Sequence, residues 1–156
     1  MGEEEKYLVD VLKKAIHSVY AEERFLLKYQ DDNRQGMEQS FVFRVGIHLH
    51  EILKGTVYEA LDLDSEYRKS QANLKVTINN PNGIRPDLII HKRDTQEFNK
   101  MAVEFKGWWD TNIQDDLNKL IELTSHLDKY KYLIGVFVCI GKNSPDFKLF
   151  QNGIEI

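Results

Sequence analysis

Two acidic residues and a lysine carry the chemistry that this sequence could perform. Asp87 lies in the stretch Pro86-Asp87-Leu88-Ile89-Ile90-His91, and Glu104 and Lys106 lie in Met101-Ala102-Val103-Glu104-Phe105-Lys106. Two carboxylates can hold a divalent cation through oxygen, and Mg²⁺ prefers few protein carboxylates, retained waters and a substrate phosphate. Such a cation polarises a phosphodiester and acidifies a bound water, while a neighbouring lysine orients the nucleophile or helps to deprotonate it. Pro-Asp and Glu-x-Lys are each short, and either alone is commonly a turn or a solvated strand face. Their meaning rests on whether the chain brings them together.

Both stretches read as β-strands, and the polar run over residues 92–100 can reverse the chain between them. A turn centred on Thr95 and Gln96 would set Asp87 opposite the Glu104 end of the second strand. Side chains alternate sides along a strand, so Glu104 and Lys106 point the same way. The pattern therefore predicts two carboxylates and an amine on one patch. Upstream, residues 36–54 read as a helix in which Val42, Val45, Leu49, Ile52 and Leu53 form one apolar stripe. Glu38 falls on that stripe and Glu51 on the opposite side. A carboxylate facing a core needs a partner, because burying it unpaired is costly; otherwise Glu38 is a first-turn glutamate that reaches water.

Ile84-Arg85-Pro86-Asp87-Leu88-Ile89-Ile90-His91 together with Val103-Glu104-Phe105-Lys106 resembles the PD-(D/E)XK nuclease superfamily, in a small stand-alone bacterial form. The resemblance implies a restriction-endonuclease-like α/β core of helix, three antiparallel strands, helix and strand, over residues 36–140. It implies Asp87 and Glu104 as ligands of Mg²⁺ or Mn²⁺, and Lys106 as the catalytic lysine. It further implies Glu38 as a third acid acting directly or through water, the Phe105 carbonyl as a completing ligand, and Glu66 as a candidate accessory acid.

Residues 3–29 read as a long added helix, with Leu8, Leu12, Ala15, Ile16, Val19 and Leu26 at three- and four-residue spacing and glutamates at its start. It is expected to brace the core or to contact a second copy. Residues 61–68 alternate as a half-buried first strand, with Glu66 on the polar side, and Asn79-Asn80-Pro81-Asn82-Gly83 marks a turn. After Gly107-Trp108-Trp109-Asp110 a helix starts, with Thr111 and Gln114 spaced as a capping box. Ile113, Leu117, Leu120, Ile121, Thr124 and Leu127 are its core face. Asp115 and Asp116 suit its first turn, and Lys119 reads as solvated. Residues 132–140 form an apolar run expected to be a strand buried on both sides. Weaker strands follow at 147–150 and 154–156. His17, His48, His50, His91 and His126 lack metal-ligand spacing.

A chain of 156 residues, 42% hydrophobic and 29% charged, fits one globular domain. Its one cysteine, Cys139, sits in the apolar run as a small hydrophobe. No apolar run approaches the roughly 20 residues of a membrane span, and the glutamate-rich start is unlike a signal peptide. A cytoplasmic location is expected. The net charge of −4 sits poorly with nucleic-acid binding, although Arg85, Lys92, Arg93, Lys100 and Lys106 cluster near the motif. The expected activity is metal-dependent nucleic-acid cleavage, of DNA first, by a homodimer, with a protein partner able to supply affinity. The rival is a non-catalytic module that keeps the nuclease fold for binding or assembly.

Overall fold

The computed structural model describes residues 1–27, 37–66 and 84–156. Among these residues the chain forms three α-helices and a mixed six-stranded sheet. The helices are α1 (Glu3–Glu22), α2 (Glu38–Leu53) and α3 (Gln114–Thr124). The strands are β1 (Asp62–Asp64), β2 (Leu88–His91), β3 (Met101–Gly107), β4 (Ile134–Ile140), β5 (Asp146–Gln151) and β6 (Ile154–Glu155), and they lie side by side in chain order. All neighbours are antiparallel except β3 and β4, which run parallel over their whole lengths with α3 as the crossover.

The sheet divides the core in two. Alternation along β3 sends Met101, Val103 and Phe105 to the α1–α2 side, where Leu12, Ile16, Val45 and Leu49 cover them. Ala102 goes to the α3 side, with Ile89, Leu120, Leu123 and Phe137. Glu104 and Lys106 therefore occupy core-facing positions beneath α3. β4 is buried on both sides, as its unbroken apolar run requires.

The β2–β3 hairpin has the expected register: Leu88 pairs with Val103, Ile89 with Ala102 and Ile90 with Met101, symmetric about Thr95 and Gln96. Several expected boundaries shift. α1 stops at Glu22, where the Glu23 N–H turns back to the Val19 carbonyl, and a 3₁₀ turn (Arg24–Leu27) follows; residues 28 and 29 lie outside the described residues. β1 is confined to Asp62–Asp64, and Glu66 has φ +47°, so the strand has ended before it. Tyr67, Arg68 and the turn at 79–83 lie outside the described residues.

α3 begins at Gln114 with Ile113 as its N-cap and no side-chain cap, so the Thr111–Gln114 box does not form. It ends at Thr124, and Leu127 is exposed; Leu123 fills the core place instead. The apolar stripe of α1 is consumed within the fold, with Leu8, Leu12, Ala15, Ile16 and Val19 fully buried. That removes the reason for expecting a second copy to dock there. No helix among the described residues is long and apolar enough to cross a membrane.

Candidate active site

The site forms where β3 runs on past its last β2 partner. One step beyond the Leu88–Val103 pair, the register sets Asp87 against Glu104, on the α3 side of the sheet. Lys106 is two residues further on the same side. Beyond β2, the β3 amides that face the β2 side lack a strand partner, and buried donors must be satisfied. The Phe105 N–H donates to Asp87 Oδ2 at 2.7 Å, and the Gly107 N–H donates to Glu38 Oε2 at 3.0 Å. Glu38 thus reaches from the first turn of α2, on the other side of the sheet, to the end of β3. Glu51 points away and pairs with Lys54 at the surface. A Cβ at Gly107 would stand 1.9 Å from the Trp109 ring, so a side chain there would require that ring to move.

α3 adds two residues that sequence reasoning passed over. Asp116, in its first turn, is 6% exposed and bridges two ammonium groups. Lys106 Nζ lies 3.0 Å from Asp116 Oδ2, and Lys119 Nζ lies 2.7 Å from Asp116 Oδ1. Lys119 Nζ is also 3.5 Å from Glu104 Oε2. Asp110 approaches Lys106 at 3.6 Å. Glu104 is 1% exposed, and its Oε1 has no hydrogen-bond partner. The signal that could have found Asp116 is the one used for Glu38. Asp116 lies four residues before Leu120, on the buried stripe, where a carboxylate must have partners.

The electrostatics follow from this crowding. Burial pushes the Asp87 carboxyl up to about 6; the Phe105 N–H opposes this, while Glu38 and Asp116 add to it. Burial raises Glu104 well above its ordinary value, with Asp87 reinforcing the shift and Lys119 opposing it. Burial works to lower Lys106, but Asp116 first, then Glu38 and Asp110, overcome it and hold the ammonium above its usual range. Lys119 behaves likewise through Glu104 and Asp116. The site is rich in carboxylate and short of positive charge.

Asp87 also lines a cleft of about 370 Å³ with Glu38, Gln39, Val42, Ser65 and Glu66. Asp87 and Glu104 are thus close enough to act on each other, Lys106 lies on the same side of β3 as Glu104, Glu38 caps the Gly107 amide, and Glu66 stands exposed on the cleft wall. Among the described residues no three Asp, Glu, His or Cys side chains converge as a ready metal-ligand set. The two carboxylates that could hold a hard cation are Asp87 and Glu104, with the other positions left to water and substrate, and one Glu104 oxygen is buried without a hydrogen bond.

The expected basic cluster is largely spent elsewhere. Lys92 and Arg93 pair with Asp62 and Asp64, and Lys100 pairs with Glu4. Arg85 is exposed. Trp108 and Trp109 pack edge to face, both half-buried. Compared with protein-family models, curated proteins and solved structures, the chain matches none.

Proposed function

We propose that this chain is a divalent-metal-dependent nuclease of the PD-(D/E)XK type that hydrolyses nucleic-acid phosphodiester bonds, with DNA the expected substrate. The observation that carries the reading is the Asp87–Glu104 pair. Asp87, one residue before β2, and Glu104 on β3 act on each other and are both pushed toward protonation, with Lys106 on the same side of β3 as Glu104. The element order helix, three antiparallel strands, helix, parallel strand supports a restriction-endonuclease-like core, with α1 as an addition.

Asp87 and Glu104 are the residues that would hold Mg²⁺ or Mn²⁺, with Glu38 joining through water while it caps Gly107. When bound, the cation supplies Lewis-acid polarisation of the phosphodiester and a more acidic water. Lys106 is held protonated by Asp116 and its neighbours, so its part is to place positive charge on a phosphoryl oxygen and to orient the attacking water. Asp116 fixes the direction of that ammonium. The cleft beside Asp87 is where a phosphate would enter, and Glu66 on its wall is a candidate for orienting water.

Purified protein should cut nucleic acid in Mg²⁺ or Mn²⁺ and not in EDTA, tested on linear, nicked, branched and single-stranded DNA and on RNA. Failure on every substrate with any divalent ion, with and without its natural partners, removes the catalytic reading and leaves the binding module. Cutting both strands of a duplex takes two such sites, so a homodimer belongs to the proposal, and light scattering at micromolar concentration tests it.

A further inference from the structure

Lys119 stands between two carboxylates of the site, Asp116 and Glu104. Among the described residues it is the one ammonium paired with Glu104, whose second oxygen is buried without a hydrogen bond. Its two contacts are unequal: 2.7 Å to Asp116 Oδ1 and 3.5 Å to Glu104 Oε2. The lysine is anchored on α3 by the shorter contact and leans toward β3 by the longer one. Losing the contact with Glu104 would therefore not strand the ammonium, because Asp116 still holds it. Asp116 in turn shares its other oxygen with Lys106, so it stays neutralised throughout.

We infer that Lys119 is a resident counter-ion for Glu104, which a divalent cation must displace before Glu104 can act as a ligand. The inference rests on the metal-dependent reading proposed above and adds to it the regulation of that same site. The lysine stabilises the metal-free fold by offsetting a buried carboxylate, and the same contact weakens the affinity for metal. Lys106 supplies the comparison. It lies on the same side and shares Asp116 but makes no ion pair with Glu104, so removing it changes the local field without removing the competitor.

The test is calorimetric titration of Mn²⁺ into wild type, Lys119→Met, Lys106→Met and Asp87→Asn, with melting temperatures measured with and without the metal. Lys119→Met should bind Mn²⁺ roughly tenfold tighter than wild type, the scale of one partly screened charge pair. It should gain more than Lys106→Met, and Mn²⁺ should raise its melting temperature more than it raises that of wild type. Affinity for Lys119→Met equal to or weaker than wild type, or no tighter than for Lys106→Met, overturns the inference. If Lys119→Met does not fold without metal, Mn²⁺ should restore folding; no restoration makes Lys119 a purely structural partner of Asp116 and overturns the inference. Wild type that binds no Mn²⁺, or whose binding survives Asp87→Asn, overturns the metal-site reading itself and this inference with it.

Discussion

The two ends of β2 carry opposite kinds of charge cluster. At its C-terminal end, His91 is fully buried with Nε2 2.9 Å from Asp64 Oδ2, and Arg93 grips the same carboxylate with two donors. Asp62 accepts the Arg93 N–H and lies 3.7 Å from Lys92. Burial works to raise the Asp64 carboxyl, yet Arg93 and then His91 outweigh it and hold Asp64 below its ordinary value. At the N-terminal end Asp87 and Glu104 are held above theirs. One cluster is neutralised by its own basic residues, and in the other burial and like charge outweigh the nearby lysines. A group of acids on a sheet says little by itself; whether the surrounding fold satisfies them separates a brace from a reactive site.

The sharpest way to break this contrast is cleavage. Asp87→Asn and Glu104→Gln should each lower the cleavage rate by about 10³-fold or more, the several kcal/mol that a catalytic cation supplies. Asp64→Asn, in the neutralised cluster, should leave the rate of the folded protein unchanged. Equal losses in both clusters would erase the distinction. Lys106→Ala should cost about 10²-fold in cleavage rate while metal binding, read by calorimetry, persists. Lys106→Arg should recover only part of the rate, because a guanidinium differs in reach and shape.

Stability should move in opposite directions. In metal-free protein at pH 8, Asp87→Asn removes a carboxylate that burial disfavours and should stabilise by about 1–3 kcal/mol in denaturant unfolding. Asp64→Asn should destabilise by about 1–2 kcal/mol, discounted for the exposed Arg93. The pH windows differ as well. The Asp87 carboxyl, raised from 3.8 to about 6, contributes stability fully below 3.8 and loses it as pH rises through about 6. The Asp64 carboxyl, lowered from 3.8, contributes above that value and loses its contribution as pH falls through its folded value. The Asp87→Asn gain should therefore grow between about pH 4 and 7, and the Asp64→Asn deficit should vanish in acid. Saturating Mg²⁺ should suppress only the first.

The hairpin was legible in the sequence because two apolar stretches of period two flank a polar run of the right length, and the register then followed from symmetry about Thr95 and Gln96. Glu38 was legible because helical periodicity put an acid on the apolar stripe of α2. Asp116 carried the same signal, an acid on the buried stripe of α3, but the helix dipole already accounted for it; Lys119 carried none, and solvent accounted for it. Their meaning appears only once α3 is known to lie over the Glu104 side of β3, a tertiary fact with no local signature. The ends of α1 and β1 were misjudged for the same kind of reason: apolar spacing continued where the backbone had turned, at Glu23 and at Glu66.

The carboxylate caps on β3 carry a further consequence. Past Leu88, the strand would offer the Phe105 and Gly107 amides as an open template to any extended segment, and unpaired strand edges invite pairing with another chain. Asp87 and Glu38 occupy those donors in place of a strand and blunt the edge with negative charge. Alanine at either position would uncover the template, so such variants should tend to self-associate during expression and storage. Asparagine and glutamine keep an acceptor in place, and inactive protein made that way should stay dispersed.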